Sequence, residues 1–321
     1  MKQTETVLDE KQKQRGEPWA LGSVLGYASA EILDRVAVAH ADPLVGPFLR
    51  GLPSLVLGIV LVAKNRTLVQ LRRTSPKYIG GRAIFSLLSA GVLSTLGLFA
   101  YYFAMRIGGV VVTVPVLQTY AMWGTLIAWF FLGERIHPLA LTGVGLLCMG
   151  LAILYSGQLR GQPISPHWYW ALPLTLFTAL TYGVSGVLWR DSQLRGAHQS
   201  TAILLQFVAS ESVALVGLIF VITRASFFSV GLELTAKNLA ELLSSGVLSG
   251  IIAIYCMFTA LRLMAVARVF AFSSLTPIVA TIFAHFALRE YLSLPMLAGV
   301  MLVSIGITLT QVFKPKEEKQ A

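Results

Sequence analysis

Apolar residues fall in long runs broken by short polar connections. Ten such runs lie at about 18–38, 47–63, 83–105, 109–131, 138–156, 168–189, 200–222, 241–261, 268–287 and 293–313. Each is close to the roughly 20 residues a helix needs to cross a bilayer core. Open strands are excluded at that depth, because unpaired backbone groups find no partner in lipid. A barrel would need alternating polarity, and these runs are continuously apolar. The pattern therefore predicts an all-α integral membrane protein with ten transmembrane helices.

The connections refine this layout. Gly108-Gly109 links the third and fourth runs, and Gly133-Glu134-Arg135-Ile136-His137-Pro138 links the fourth and fifth. Links this short make their helices antiparallel neighbours. The expected organisation is a cytoplasmic tail over 1–17, a first five-helix repeat over 18–156, and a connecting loop over 157–167. A second five-helix repeat follows over 168–313, with a cytoplasmic tail over 314–321.

Composition agrees with a lipid environment: 55% of the 321 residues are hydrophobic and 12% are charged, where soluble chains carry about 25% charged residues. The net charge of +10 could suggest nucleic acid. The basic residues instead sit in tails and connections, above all Lys64, Arg66, Arg72, Arg73, Lys77 and Arg82. With ten spans and both termini in the cytoplasm, inside segments hold 18 of the 25 lysines and arginines and outside loops about 5. That asymmetry is the positive-inside signal, and the inner membrane of a prokaryote is the expected location. Cys148 and Cys256 lie within apolar runs and read as small buried hydrophobes. No secretory signal precedes the first run.

An internal repeat carries the most information. A shift of 156 residues aligns 99–154 with 255–310 without a gap, matching Arg106 with Arg262, Glu134 with Glu290, Gly143 with Gly299 and Gly150 with Gly306. Leucine-rich composition alone would not align an arginine, a glutamate and two glycines in one register. A shift of 155 pairs Tyr27 with Tyr182 and Arg35 with Arg190. Five spans is an odd number, so tandem copies must insert in opposite orientations. Inverted repeats of this kind build alternating-access carriers, with the binding site near the midplane between halves.

Phe131-Leu132-Gly133-Glu134-Arg135-Ile136-His137-Pro138, followed by a helix with Thr142-Gly143 and Gly150, resembles the fourth-to-fifth helix junction of EamA-type transporters in the drug/metabolite transporter superfamily. Leu288-Arg289-Glu290 through Gly299 and Gly306 is similar, and Phe48-Leu49-Arg50 resembles that family's arginine near the start of its second helix. The resemblance implies a secondary transporter with ten helices, without naming a substrate. The first helix departs from the family's Trp-Gly-x-Asn-like pattern: it reads Ala28-Ser29-Ala30-Glu31-Ile32-Leu33-Asp34-Arg35. Glu31 stands about where the asparagine would, and looks like the membrane glutamate of small four-helix multidrug exporters.

A charge at the bilayer centre costs about 2.5–3.5 kcal/mol on insertion scales, so it needs a partner or a water-filled cavity. Glu31 and Asp34, one turn apart, read as a cation or proton site; internal pairing of Glu31 with Arg35, or of Asp34 with Arg50, competes with that reading. Arg50 could bind a carboxylate or phosphate or serve Asp34. Glu211, central in its run, has only Phe207 and Leu215 at i±4; it is the second candidate coupling acid.

For substrate contact, Gln118, Met122, Thr125 and Trp129 share one helical face, with repeat mates Ser274, Ile278, Thr281 and His285. Tyr27 and Tyr182 add aromatic surface. Ordinary helix packing is the competing account of each. Tyr101, Tyr102 and Tyr255 read as packing or interface residues. Glu134 and Glu290 read as helix-end partners of Arg135 and Arg289.

No catalytic signature, phosphate-binding Gly-Lys-Ser/Thr loop or metal-ligand spacing is present, so neither catalysis nor a cofactor is expected. The expected function is secondary active transport of a small polar or amphiphilic organic metabolite, with protons as the candidate coupling ion. Partners are that substrate and membrane lipid, without nucleic acid, in a monomer or homodimer. The alternatives are an organic-cation exporter, or a non-transporting membrane subunit or enzyme.

Overall fold

The structure is a computed structural model that describes residues 2–132, 138–159, 165–228, 235–263, 269 and 272–312. Among these, helices are the only regular elements. Helix α1 spans Lys2–His40, α2 Gly46–Asn65, and α3 Gly80–Leu117. They are followed by α4 (Tyr120–Leu132), α5 (Pro138–Leu159), α6 (Ala171–Leu194) and α7 (Gln199–Phe228). Helix α8 (Ala236–Val247) runs through a wider π-helical turn, Leu248–Ala253, into α9 (Ile254–Leu263). Helices α10 (Thr276–Leu288) and α11 (Leu294–Val312) close the described fold.

Among the described residues, six helical stretches are long and apolar enough to cross a membrane: Gly46–Asn65, Gly80–Gly124, Pro138–Gln158, Trp168–Leu194, Gln199–Arg224 and Ala236–Met257. The longest, Gly80–Gly124, covers most of two expected spans. Its helix breaks at Gly109, where φ is 74° and ψ 179°, a conformation that glycine reaches without the penalty a β-carbon imposes. Helix α1 carries Glu31, Asp34 and Arg35 in its second half, which lowers its apolar character. It also begins at Lys2, inside the expected tail, and runs on through Gly16 and Pro18.

Two of the expected spans are interrupted at equivalent places. Gln118 and Thr119 form a turn between α3 and α4; Ser274 and Leu275 form one before α10. These positions are mates under the 156-residue shift. The nearby prolines, Pro115 and Pro277, lack the N–H that would continue the helical ladder.

Packing follows the repeat as well. Helix α3 lies along α6, and α8–α9 lies along α1. The closest approaches correspond: Gly97 fits against Thr181, and Gly26 against Ala253. Helices α5 and α11 cross on glycine. A β-carbon on Gly143 would stand 2.7 Å from the Gly306 carbonyl oxygen, and one on Gly150 would stand 2.7 Å from that of Gly299. Gly143 and Gly299 are repeat mates, as are Gly150 and Gly306. The two contacts are thus one contact seen twice, and the two helices are antiparallel.

The interior uses small residues, with Ala28, Ala30, Ala37, Ala83, Ala90, Ala104, Ala260 and Ala280 all fully buried. Large apolar side chains such as Phe85, Val216, Phe220 and Leu294 point outward. That distribution suits helices held together by close backbone approach in lipid, where burying large apolar groups has no advantage.

Candidate functional site

Glu31 and Asp34 face inward from α1, one turn apart. Arg50, one turn into α2, answers both: its Nε is 3.1 Å from Asp34 Oδ2 and its Nη2 is 3.5 Å from Glu31 Oε1. Two consecutive tyrosines of α3 complete the group. Tyr101 donates its hydroxyl to Glu31 Oε2 at 2.6 Å, and Tyr102 donates to Asp34 Oδ1 at 2.9 Å. Asp34 and Tyr102 are fully buried, and Tyr101 is nearly so. Consecutive helical residues point about 100° apart, so two hydroxyls on one helix can reach acids on neighbouring turns of another. The ion pair competing with a free acid site is therefore formed between Arg50 and both acids, and Glu31 does not use Arg35.

Arg35 turns instead to the second half of the chain. Its Nε donates to Glu290 Oε1 at 3.2 Å. Glu290 also accepts the backbone N–H of Val110 (3.1 Å) and of Val111 (3.0 Å). These amides open the helical segment that restarts after the Gly109 break, so the carboxylate caps a positive helix end. One carboxylate thus joins α1, the restarted part of α3 and the link between α10 and α11. His285 supports the link, with Nδ1 3.0 Å from the Glu290 carbonyl oxygen.

Two more tyrosines stand near the acid–arginine group, and a third, Tyr120, stands near one of them. Tyr27 lies within electrostatic reach of Arg50, Glu31 and Tyr120; Tyr182 lies within reach of Arg50, Glu31 and Asp34. Tyr120 keeps 38% of its surface accessible, and the other two are half-buried. Tyr255 is 63% exposed.

The other expected site residues are dispersed. Gln118 is half-buried at the turn before α4, which takes it off the continuous helical face expected with Met122. Met122 packs with Leu147, Val303 and Ile307 in an apolar cluster. Ser274 Oγ lies 2.7 Å from Thr308 Oγ1, and Thr281 is fully buried. The side chains of Thr125 and Trp129 lie outside the described residues, as does Glu134. Glu211 is buried on α7 against α2. Its Oε1 occupies the space that a β-carbon on Gly51 would fill, and neither carboxyl oxygen has a hydrogen-bond partner among the described residues. No group of His, Cys, Asp and Glu side chains there could hold a metal ion.

Residue pattern alone points neither to the link of Arg35 to Glu290 nor to Tyr120 beside Tyr27. The first had a signal: Arg35/Arg190 and Glu134/Glu290 recur as a pair of pairs. Tyr120 carried none, since a tyrosine in an apolar run reads as packing.

The repeat seen in these contacts has a family behind it. The model of the EamA-like transporter family matches residues 14–156 and again 169–312. The chain belongs to this family of transporters. It is an integral membrane protein of the drug/metabolite transporter type. No curated protein matches it. Among 26 matching solved chains is one titled "Crystal structure of protein", 14% identical, with a TM-score of 0.61 over 94% of this chain and 98% of that one. At that identity the likeness speaks for the fold.

Proposed function

We propose that the chain is a secondary carrier of a small polar or amphiphilic organic metabolite, working by alternating access. Its ten spans form two five-helix repeats of opposite orientation, and both termini lie in the cytoplasm. The observation that carries this reading is the Arg35–Glu290 link. It ties an element of the first repeat to one of the second at one end of the bundle, through groups that water could solvate if the link opened. The repeat register supplies the same residue types, Arg190 and Glu134, for the opposite end. Opening one end while closing the other would expose the central space to each side in turn.

Contacts between connections favour the same topology. Gln70, after α2, donates through Nε2 to the Gly196 carbonyl and accepts from His198 N–H through Oε1. The α2–α3 and α6–α7 connections therefore share one face, as an even number of intervening spans requires. Protons are the candidate coupling ion, with Glu31 as the first acid and Glu211 as the second.

The test is reconstitution of the purified chain in liposomes loaded with a panel of metabolites. Counterflow of a labelled substrate is expected, with altered pH dependence in Glu31→Gln or Glu211→Gln. Absence of exchange for every compound would refute the carrier reading. Unchanged rate and pH dependence in both variants would refute the coupling assignment alone.

A further inference from the structure

The connection after α2 carries positive charge that the protein itself does not answer. Lys64, Arg66, Arg72, Arg73 and Lys77 are all exposed. Residues 43–133 contain no aspartate or glutamate, so no acid near in sequence serves them. Among the described residues, none of the five side chains makes an ion pair. The neighbouring α6–α7 side supplies Asp191, but both its oxygens are held by Arg195 at 3.0 Å, and the loop cation within its electrostatic reach is Arg82. Arg66 adds a detail of its own. It ends α2 with a φ of 52°, a conformation for which glycine is the usual choice. An exposed arginine stands there instead.

An independent observation is apolar. Between the cations, Thr67–Leu71 forms a 3₁₀ turn. Thr67 is buried, while Leu68 is 55% exposed and Val69 37%. The turn is tethered: Gln70 donates to the Gly196 carbonyl and accepts from the His198 N–H and the Thr201 hydroxyl. Its depth follows from α2, whose 20 residues rise about 30 Å, the thickness of a bilayer core. The turn directly after that helix lies at headgroup level. Aliphatic side chains flanked by cations at this depth match an anionic headgroup and the upper part of its acyl chains together.

We infer that the turn Thr67–Leu71 is a docking surface for anionic phospholipid, its phosphodiester among the five cations, with Leu68 and Val69 entering the acyl boundary. Gln70 ties this turn to the α6–α7 connection, so a bound lipid braces the first repeat against the second on one face. The inference rests on the membrane location of the chain and not on the carriage of any substrate.

The experiment uses the full chain with Cys148 and Cys256 replaced by alanine and a bimane label on Leu68→Cys. It is reconstituted in phosphatidylcholine bilayers that contain an equal small fraction of a doxyl-labelled quencher, either phosphatidylglycerol or phosphatidylcholine. The anionic quencher is expected to quench at least twofold more than the zwitterionic one, and high salt should shrink the difference. Combining Lys64→Gln, Arg66→Gln, Arg72→Gln, Arg73→Gln and Lys77→Gln should abolish it. A second label position tests locality. Asn65 bonds Ser200 at 2.6 Å, so Phe220 lies about 30 Å farther along α7, and bimane on Phe220→Cys should show no preference. Equal quenching at Leu68, a preference that survives the five substitutions, or the same preference at Phe220 would each overturn the inference. Glycerol phosphate added in solution should change nothing; if it erases the preference, the surface takes free phosphate and the lipid assignment fails.

Discussion

Arg35 of α1 and Glu290 of the α10–α11 link meet at 3.2 Å although 255 residues separate them. The same carboxylate accepts two backbone N–H groups, so three donors converge on one side chain. Charge-assisted hydrogen bonds of this kind contribute about 1.5–3 kcal/mol each when removed. Glu290→Gln keeps the shape of the side chain and removes its charge. This variant is expected to favour the open form of that end. A cysteine placed at Gln118, with Cys148 and Cys256 replaced by alanine, should then react at least fivefold faster with an impermeant maleimide applied from outside intact cells. An unchanged rate would mean that the link does not hold that end closed.

Arg50 serves two acids at once through different nitrogens, a geometry that lysine cannot reproduce with one ammonium. Removing it leaves two carboxylates without their cation. Arg50→Ala is expected to destabilise the protein by about 3–5 kcal/mol, seen as a fall in melting temperature in detergent. The triple variant Arg50→Met, Glu31→Gln, Asp34→Asn should regain most of that loss, while transport stays absent. If the triple variant melts as low as Arg50→Ala, the loss comes from packing and not from stranded charge.

The glycine crossing predicts matched effects in the two repeats. Gly143→Val and Gly299→Val both force side-chain carbon toward a facing carbonyl, Gly306 in one case and Gly150 in the other. Each should cost roughly 1–3 kcal/mol. Gly145, on the same helix, has open space at its β-carbon position, so Gly145→Val should change stability by less than about 1 kcal/mol. Unfolding in graded detergent mixtures measures all three, and similar losses for Gly143 and Gly145 would contradict the crossing.

Gly109 is tested by alanine. Its φ of 74° with ψ of 179° lies in a region essentially reserved for glycine and disfavours any residue with a β-carbon, by about 1–3 kcal/mol. Gly109→Ala should therefore lower stability and, by shifting the restarted segment, weaken the amide cap on Glu290. Gly186, helical and with empty space beside it, is the control: Gly186→Ala should raise stability by up to about 1 kcal/mol.

Much of this architecture is legible in sequence because a lipid environment leaves so few solutions. Runs of about twenty apolar residues have to be helices, and the aligned Glu134/Glu290 and Gly143/Gly299 pairs announce the repeat. The boundaries were less readable. The break at Gly109 and the turn at Gln118-Thr119 fall inside apolar sequence, where hydropathy is blind to backbone direction. The site divided along the same line. Glu31, Asp34 and Arg50 stood out because charge in lipid needs compensation. Met122 looked like a lining residue because helical spacing shows which residues share a face, though not which neighbour that face meets. It meets Leu147 and Val303. Tyr101 and Tyr102 changed meaning for the opposite reason: their hydroxyls acquire a role only once α3 is brought beside α1.

The paired interruptions at Gln118-Thr119 and Ser274-Leu275 bear on how such a protein can be dissected by mutation. Where a helix stops and restarts, its backbone pairing shifts: Gln118 N–H still reaches the Val114 carbonyl, while Thr119 and Leu275 bond three residues back, to Val116 and Phe272, and backbone groups belong to every amino acid alike. A scan that replaces side chains one at a time leaves them intact. Positions around both turns would then score as silent even if their main chain grips the cargo. Replacing single amides by esters, which deletes a backbone donor and weakens the carbonyl of the same linkage, is the substitution that can make these turns speak.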